Sequence, residues 1–162
     1  EGAYRVPAMV GYPGKIKPGT ISNEIVSHLD WLPTVLAMAG EPNIKEKLLK
    51  GHKAIGRDYK VHLDGYNLFP YLTGQEGKSP RESFIYCNDD QQITSLRFDN
   101  WKLVFLEQRA PGTLQIWSEP FTSLRIPKMF NLRLDPYERA DMTSNTYYDW
   151  LLDHYSALRS VA

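Results

Sequence analysis

Cysteine is nearly absent from this chain of 162 residues, in which Cys87 stands alone. No internal disulfide can form, and zinc sites built on two or four thiolates are excluded. A surplus of charge of either sign is also lacking, because 19 Lys and Arg balance 19 Asp and Glu. Nucleic-acid binders normally carry a clear basic excess, so that class is not indicated. No apolar run approaches the roughly 20 residues of a membrane-spanning helix, and no secretory leader pattern opens the chain. The first residues are Glu1-Gly2-Ala3-Tyr4-Arg5 rather than Met. That opening points to a piece of a longer product, so the lack of a leader says nothing about its parent. Catalytic signatures are missing too. No two histidines lie at the i, i+4 spacing of a helical zinc site, and no Gly-x-Ser-x-Gly elbow presents a serine.

What is present describes a folded module. Hydrophobic residues make up 42% and charged residues 23%, the balance of a globular protein rather than a disordered one. The length suits one ordinary domain, or a small domain with part of another. Pro7 interrupts the apolar stretch 4–10, so a short strand is expected to begin near Ala8. A helix is expected from about Leu29 to Ala39, with Asp30 and Pro33 in its first turn and Gly40 at its end. Its residues Leu32, Val35, Leu36 and Ala39 recur at helical spacing and predict one buried face. A short helix over Ile44–Lys50 should stop at Gly51, and Tyr59–Leu63 reads as a brief strand. Residues 68–72 make a helical turn before Gly74, and the segment Gly74–Arg81 is the best linker.

Beyond the linker the pattern turns to strands. Phe84–Cys87, Ile93–Phe98, Trp101–Glu107, Leu114–Trp117 and Met129–Leu134 are rich in aromatic and β-branched residues. Asp99-Asn100 reads as a tight hairpin turn. A final helix from Thr146 to Val161 carries the stripe Tyr147, Trp150, Leu151, Tyr155 and Leu158, and Thr146 with Asp149 suggests a capping box.

Chemically suggestive residues each have a plainer reading. His154 lies on the last helix as a helix-face histidine. His28 precedes Asp30 and His62 precedes Asp64, pairs that arise constantly by chance; His52 has no such neighbour. Cys87 falls inside a strand, where a structural thiol is usual. Asn88-Asp89-Asp90 offers oxygen ligands, but its spacing does not fit an EF-hand, and a polar turn is favoured. The cations Lys45, Lys47, Lys50, Lys53, Arg57 and Lys60 are able to steer an anion, although Glu41, Glu46 and Asp58 among them suit a solvated surface. The residues alone therefore nominate no active site.

A family resemblance carries more. The opening Glu1-Gly2-Ala3-Tyr4-Arg5-Val6-Pro7, followed by Tyr12-Pro13-Gly14-Lys15-Ile16, resembles the sulfatase family, close to the bacterial arylsulfatases. That family shows a Glu-Gly-Gly, Arg-Val-Pro and Trp-Pro-Gly series there, from which Ala3 and Tyr12 are mild departures. Further blocks follow in the family's order. They are Ser27-His28-Leu29-Asp30-Trp31-Leu32-Pro33-Thr34, then Asp64-Gly65-Tyr66-Asn67-Leu68 through Pro70, Leu72 and Gly74. Arg97 with Asp99-Asn100-Trp101-Lys102-Leu103 comes next, and Phe130-Asn131-Leu132 with Asp135-Pro136-Tyr137-Glu138 last. Each block is weak alone, but the ordered series spans nearly the whole chain.

The resemblance implies an α/β fold, α+β in its C-terminal part. Residues 1–74 would be the edge of an alkaline-phosphatase-like α/β domain, incomplete here. Residues 75–162 would be a small antiparallel sheet packed with a C-terminal helix. It also implies a sulfuric-ester hydrolase, arylsulfatase-like, that uses calcium and a formylglycine made from Cys or Ser in a Cys/Ser-x-Pro-x-Arg motif. Cys87 is followed by Asn88, Asp89, Asp90 and Gln91, which does not fit that motif. The family's metal-binding residues and active-site lysine precede the Glu-Gly series. No catalytic, cofactor-binding or metal role therefore transfers to any residue of this chain, and it is expected to be inactive alone. The expected partners are the N-terminal catalytic part of the parent and, through it, a sulfate ester, with no nucleic acid and no membrane. In isolation the chain is expected to dimerise, swap its first segment or repack it. The resemblance puts the parent in the periplasm or outside the cell. Two other readings stand beside this one: a non-catalytic module that binds a sulfated glycan or a protein, and the same part of a phosphonate or phosphodiester hydrolase.

Overall fold

The structure, a computed structural model, describes residues 4–110 and 112–155. Its contacts divide the chain into two compact units, one over Ala8–Glu82 and one joining the first seven residues to those from Ser83 onward.

The first unit is built on a helix whose start is fixed by its own side chains. Ser27 Oγ accepts from Leu29 N, and Asp30 Oδ2 accepts from Ser27 N at 2.8 Å. This reciprocal capping box satisfies amides that the turn leaves unpaired. A 3₁₀ turn, His28–Asp30, leads directly into α1, Trp31–Met38. Gly40 adopts φ +96° and donates to Ala37 O at 3.0 Å, while Glu41 N donates to Leu36 O at 2.8 Å. That pair of bonds is a Schellman termination.

The buried face of α1 is not the expected one. Leu32 and Val35 are 52% and 56% exposed, whereas Asp30, Pro33, Thr34 and Ala37 are buried. Hydrogen bonding decides this orientation. Thr34 Oγ1 donates to Asp30 O and accepts from Leu68 N at 2.9 Å, and Asp30 Oδ1 accepts from Tyr66 N at 2.8 Å. The polar i, i+4 pair thus pins the helix to the segment 64–68, and the apolar stripe turns outward.

Helix α2, Ile44–Lys50, buries Ile44 and Leu48 and ends at Gly51, as its spacing predicts. Strands β1, His52–Ala54, and β2, Arg57–Tyr59, then pair antiparallel. The strand expected over Tyr59–Leu63 thus lies earlier, because Ile55 and Gly56, at φ +51° and +72°, close a two-residue hairpin turn. Helix α3, Phe69–Leu72, follows the fully buried Leu68. The stretch 4–10 holds no strand, since no described strand pairs with it.

The second unit is an antiparallel meander. Strands β3, Ser83–Cys87, β4, Ile93–Phe98, β5, Trp101–Gln108, and β6, Phe121–Asn131, lie in sequence order. Asp99, at φ +50°, turns the β4–β5 hairpin where the sequence predicts it. Strand β6 begins eight residues before the expected Met129 because its early residues Phe121–Ser123 pair with Leu106–Gln108. Thr113–Trp117 is a 3₁₀ turn rather than a strand. Gln108 accounts for this, since its side-chain amide donates to Ile116 O and Glu119 O and folds the loop back on itself.

Two short helices complete the unit, α4, Ala140–Thr143, and α5, Tyr147–Asp153. The core gathers Leu103, Met129, Phe130 and Leu132 against Tyr147 and Leu151, with Trp101 stacked on Trp150. The expected capping by Thr146 does not form; its side chain makes no cap bond. The continuation of α5 towards Val161 lies outside the described residues. Mixed helices and strands with a small antiparallel sheet agree with the expected fold class.

Candidate functional site

Among the described residues, largely buried titratable side chains meet at Asp30, at Lys128 and at Lys102. In the first unit they meet at Asp30, which is fully buried. Arg81 Nε donates to Asp30 Oδ2 at 2.8 Å and its NH2 donates to Asp30 Oδ1 at 2.6 Å, a bidentate pair. The same guanidinium lies 4.7 Å from the Tyr66 ring centroid, and Lys45 Nζ lies 5.1 Å from it. Hydrogen bonding to Asp30 raises the Arg81 pKa, against the opposing pull of burial. Each carboxylate oxygen also takes one backbone N–H, from Tyr66 or Ser27. A carboxylate so fully engaged has no lone pair directed at solvent, so this node holds loops together rather than performing acid–base work. The same packing makes Gly65 obligatory, since a Cβ there would sit 1.9 Å from Leu29 O.

In the second unit Lys128 bridges Glu107 at 2.6 Å and Asp141 at 2.7 Å. The hydrogen bond from Lys128 holds Glu107 below its ordinary pKa. Burial pulls the Lys128 ammonium down, but the bonds to Asp141 and Glu107 outweigh it and the net shift is upward. On the sheet surface a shallow depression of about 270 Å³ is lined by Tyr86, Ser95, Lys102 and Glu138 among others. Lys102 Nζ is held by Glu138 at 2.9 Å and lies 4.4 Å from the Tyr86 centroid. Its charge is thus answered from both sides.

The residues weighed from the sequence do not come together. His28 is exposed, and His62 pairs with Asp64 at 3.1 Å on an open surface. His154 stacks on Trp150, with Nδ1 2.8 Å from Trp150 O. Cys87 is exposed beside the β3 bulge, and Asn88 spends its side chain on Gln92 to close a polar turn. Among the described residues no three His, Cys, Asp or Glu side chains converge as a metal set. The sequence reading did not anticipate the Asp30–Arg81 pair, whose members lie 51 positions apart. A charged residue in a helix's first turn and an arginine closing a Gly/Ser/Pro stretch were the visible signals, and neither names the other.

No protein-family model matches the chain. Human arylsulfatase A is 31% identical over 88% of the chain and 27% of its own length. The bovine arylsulfatase A is 32% identical over the same shares. Rat steryl-sulfatase is 29% identical over 90% of the chain and 26% of its own length. A solved Bacteroides thetaiotaomicron sulfatase, described with the metabolism of multiple glycosaminoglycans, aligns with a TM-score of 0.53. It is 19% identical and covers 91% of this chain and 25% of that one, a likeness of fold. The fold is that of the sulfatases, a class of hydrolases. The chain belongs to the sulfatase family, matching its C-terminal part, and spans about a quarter of the length of the curated relatives it matches.

Proposed function

We propose that this chain is the C-terminal part of an arylsulfatase-like sulfuric-ester hydrolase whose formylglycine and calcium site is built by residues upstream of it. In this reading the chain completes the enzyme's fold and does not turn over substrate alone. The observation that carries the proposal is the outward apolar face of α1. Leu32 and Val35 of the helix, and Leu29 of the turn that leads into it, are each more than half exposed, while Asp30 and Thr34 are buried. Such a face needs a cover, and the larger part of a sulfatase would supply it. Arylsulfate hydrolysis with calcium present, measured on this chain and on the chain extended by an N-terminal sulfatase portion, tests the proposal. Turnover by the extended protein alone is expected. Turnover by this chain would overturn the reading, and an extended protein active only on phosphonates or phosphodiesters would move it to another ester.

A further inference from the structure

The connection from β5 to β6 holds three large apolar side chains out in solvent. Leu114 is 82% exposed, Ile116 46% and Trp117 78%, all within the 3₁₀ turn Thr113–Trp117. The turn is braced from within. Gln108 donates through its side-chain amide to Ile116 O at 2.6 Å and to Glu119 O. Gln115 O accepts from Ser118 N and Glu119 N at 3.0 Å and from Ser118 Oγ at 3.1 Å. Three backbone carbonyls are thus satisfied without water, so they can enter an apolar setting without being left unpaired. Thr113 is held at φ +64°, a strained setting for a β-branched residue, beside Gly112 at +113°. Strain and bracing that hold Leu, Ile and Trp outward mark a contact site rather than scattered exposure.

We propose that this tip is an anchor that inserts into an apolar pocket on the upstream part of the sulfatase, with Trp117 as its central side chain. The inference rests on the sulfatase reading above. Size and charge select this occupant. Three side chains fall far short of the roughly 20–30 residues that each partner brings to a free-standing interface, so the tip does not hold a second copy by itself. It suits one contact among several inside a larger protein, and the chain spans about a quarter of the length of its curated relatives. An anionic lipid surface is disfavoured, because Arg109 is the one cation in residues 109–120 and it pairs with Glu107 at 3.0 Å. Tryptophan set in a desolvated pocket is a common hot spot of such contacts.

The test is hydroxyl-radical footprinting, read by mass spectrometry, on this chain and on the chain extended by an N-terminal sulfatase portion. Each protein is referred to its own urea-unfolded form. Oxidation of Leu114, Ile116 and Trp117 should be fast in this chain and at least about 5-fold slower in the extended protein, where they are buried. Trp117→Ser should leave the melting temperature of this chain unchanged and lower that of the extended protein. Equal oxidation in the two proteins, or a melting temperature lowered equally in both, would overturn the proposal. Protection of this chain on concentrating it, or on adding phosphatidylserine vesicles, would overturn it in favour of a second copy or a lipid surface. Arylsulfate turnover by an extended protein with an unprotected tip rejects the anchor and keeps the sulfatase reading. A protected tip without turnover supports the anchor and counts against the activity, so the two failures can be told apart.

Discussion

Tyr147→Phe isolates how the outer edge of the small sheet is closed. Strand β6 pairs with β5 along one side only, so alternate amides and carbonyls on its other side face no strand. Met129 is one such residue, and it is buried. The Tyr147 hydroxyl accepts from Met129 N and donates to Met129 O, each at 3.0 Å. Phenylalanine keeps the ring stacked on Phe130 at 5.7 Å but leaves both backbone groups buried and unpaired. An orphaned buried polar group costs about 1–3 kcal/mol, so the two together are expected to cost about 2–6 kcal/mol. Burial raises the Tyr147 pKa to about 12. The unfolded phenol ionises near 10, so its native contribution is whole below pH 10 and is lost as pH rises towards 12. At about 1.4 kcal/mol per unit, that loss is about 2–3 kcal/mol. The gap between wild type and Tyr147→Phe should therefore narrow across this range. Urea unfolding followed by tryptophan fluorescence at pH 8, 10 and 11.5 measures it, with the exposed Tyr148→Phe as control. A gap below about 0.5 kcal/mol at pH 8, or one that does not narrow, would refute the argument.

Gly65→Ala should lower stability by at least about 3 kcal/mol, because the clash is with backbone rather than a yielding side chain. Gly77→Ala, which meets nothing within 4 Å, should leave the melting temperature nearly unchanged. Arg81→Met strands a buried carboxylate and should cost about 3–5 kcal/mol. Combining it with Asp30→Asn should cost clearly less than the sum, and a double-mutant cycle that proves additive would rule out the coupling. Glu107 titrates below its ordinary 4.5 and Lys128 above its ordinary 10.5. The Glu107 share of stability is thus present above about pH 4.5 and lost as pH falls through the folded value. The Lys128 share holds below pH 10.5 and is lost above its folded value. Denaturation of Lys128→Met across pH 3 to 6 should show a shallower acid limb, and a parallel limb would count against the bridge.

What the sequence reveals here depends on how local the determining forces are. The α2 boundaries, the Asp99-Asn100 turn and the Ile93–Phe98 strand follow from residues within a few positions of each other, and all are legible. Strand β6 and the Gln108-braced turn depend on partners eight or more positions away. Neither is marked by periodicity. The hairpin at Ile55-Gly56 escapes for a chemical reason, since isoleucine is among the last residues expected at positive φ.

The orientation of α1 is the most instructive difference. Periodicity identifies which residues of a helix share a face, but not which face the rest of the chain will cover. Within this chain Asp30 and Thr34 have strong, directional partners in the segment 64–68, and Arg81 completes them. No described apolar group competes for Leu32 and Val35 with comparable geometry, so the polar face turns inward. The polar face is thus specified by hydrogen bonds inside the chain, and in the proposed reading the apolar one serves a surface beyond it. An apolar stripe on the outside of a well-capped helix is then not a failure of the amphipathic rule. In the proposed reading it is the rule satisfied by the rest of a sulfatase. Pairing Leu32→Gln with Val35→Gln separates the two assignments. This chain alone should unfold at nearly the same urea concentration, while the extended sulfatase should lose stability by several kcal/mol for two buried aliphatic side chains. Equal losses in both proteins would mean that the stripe is used within the chain after all.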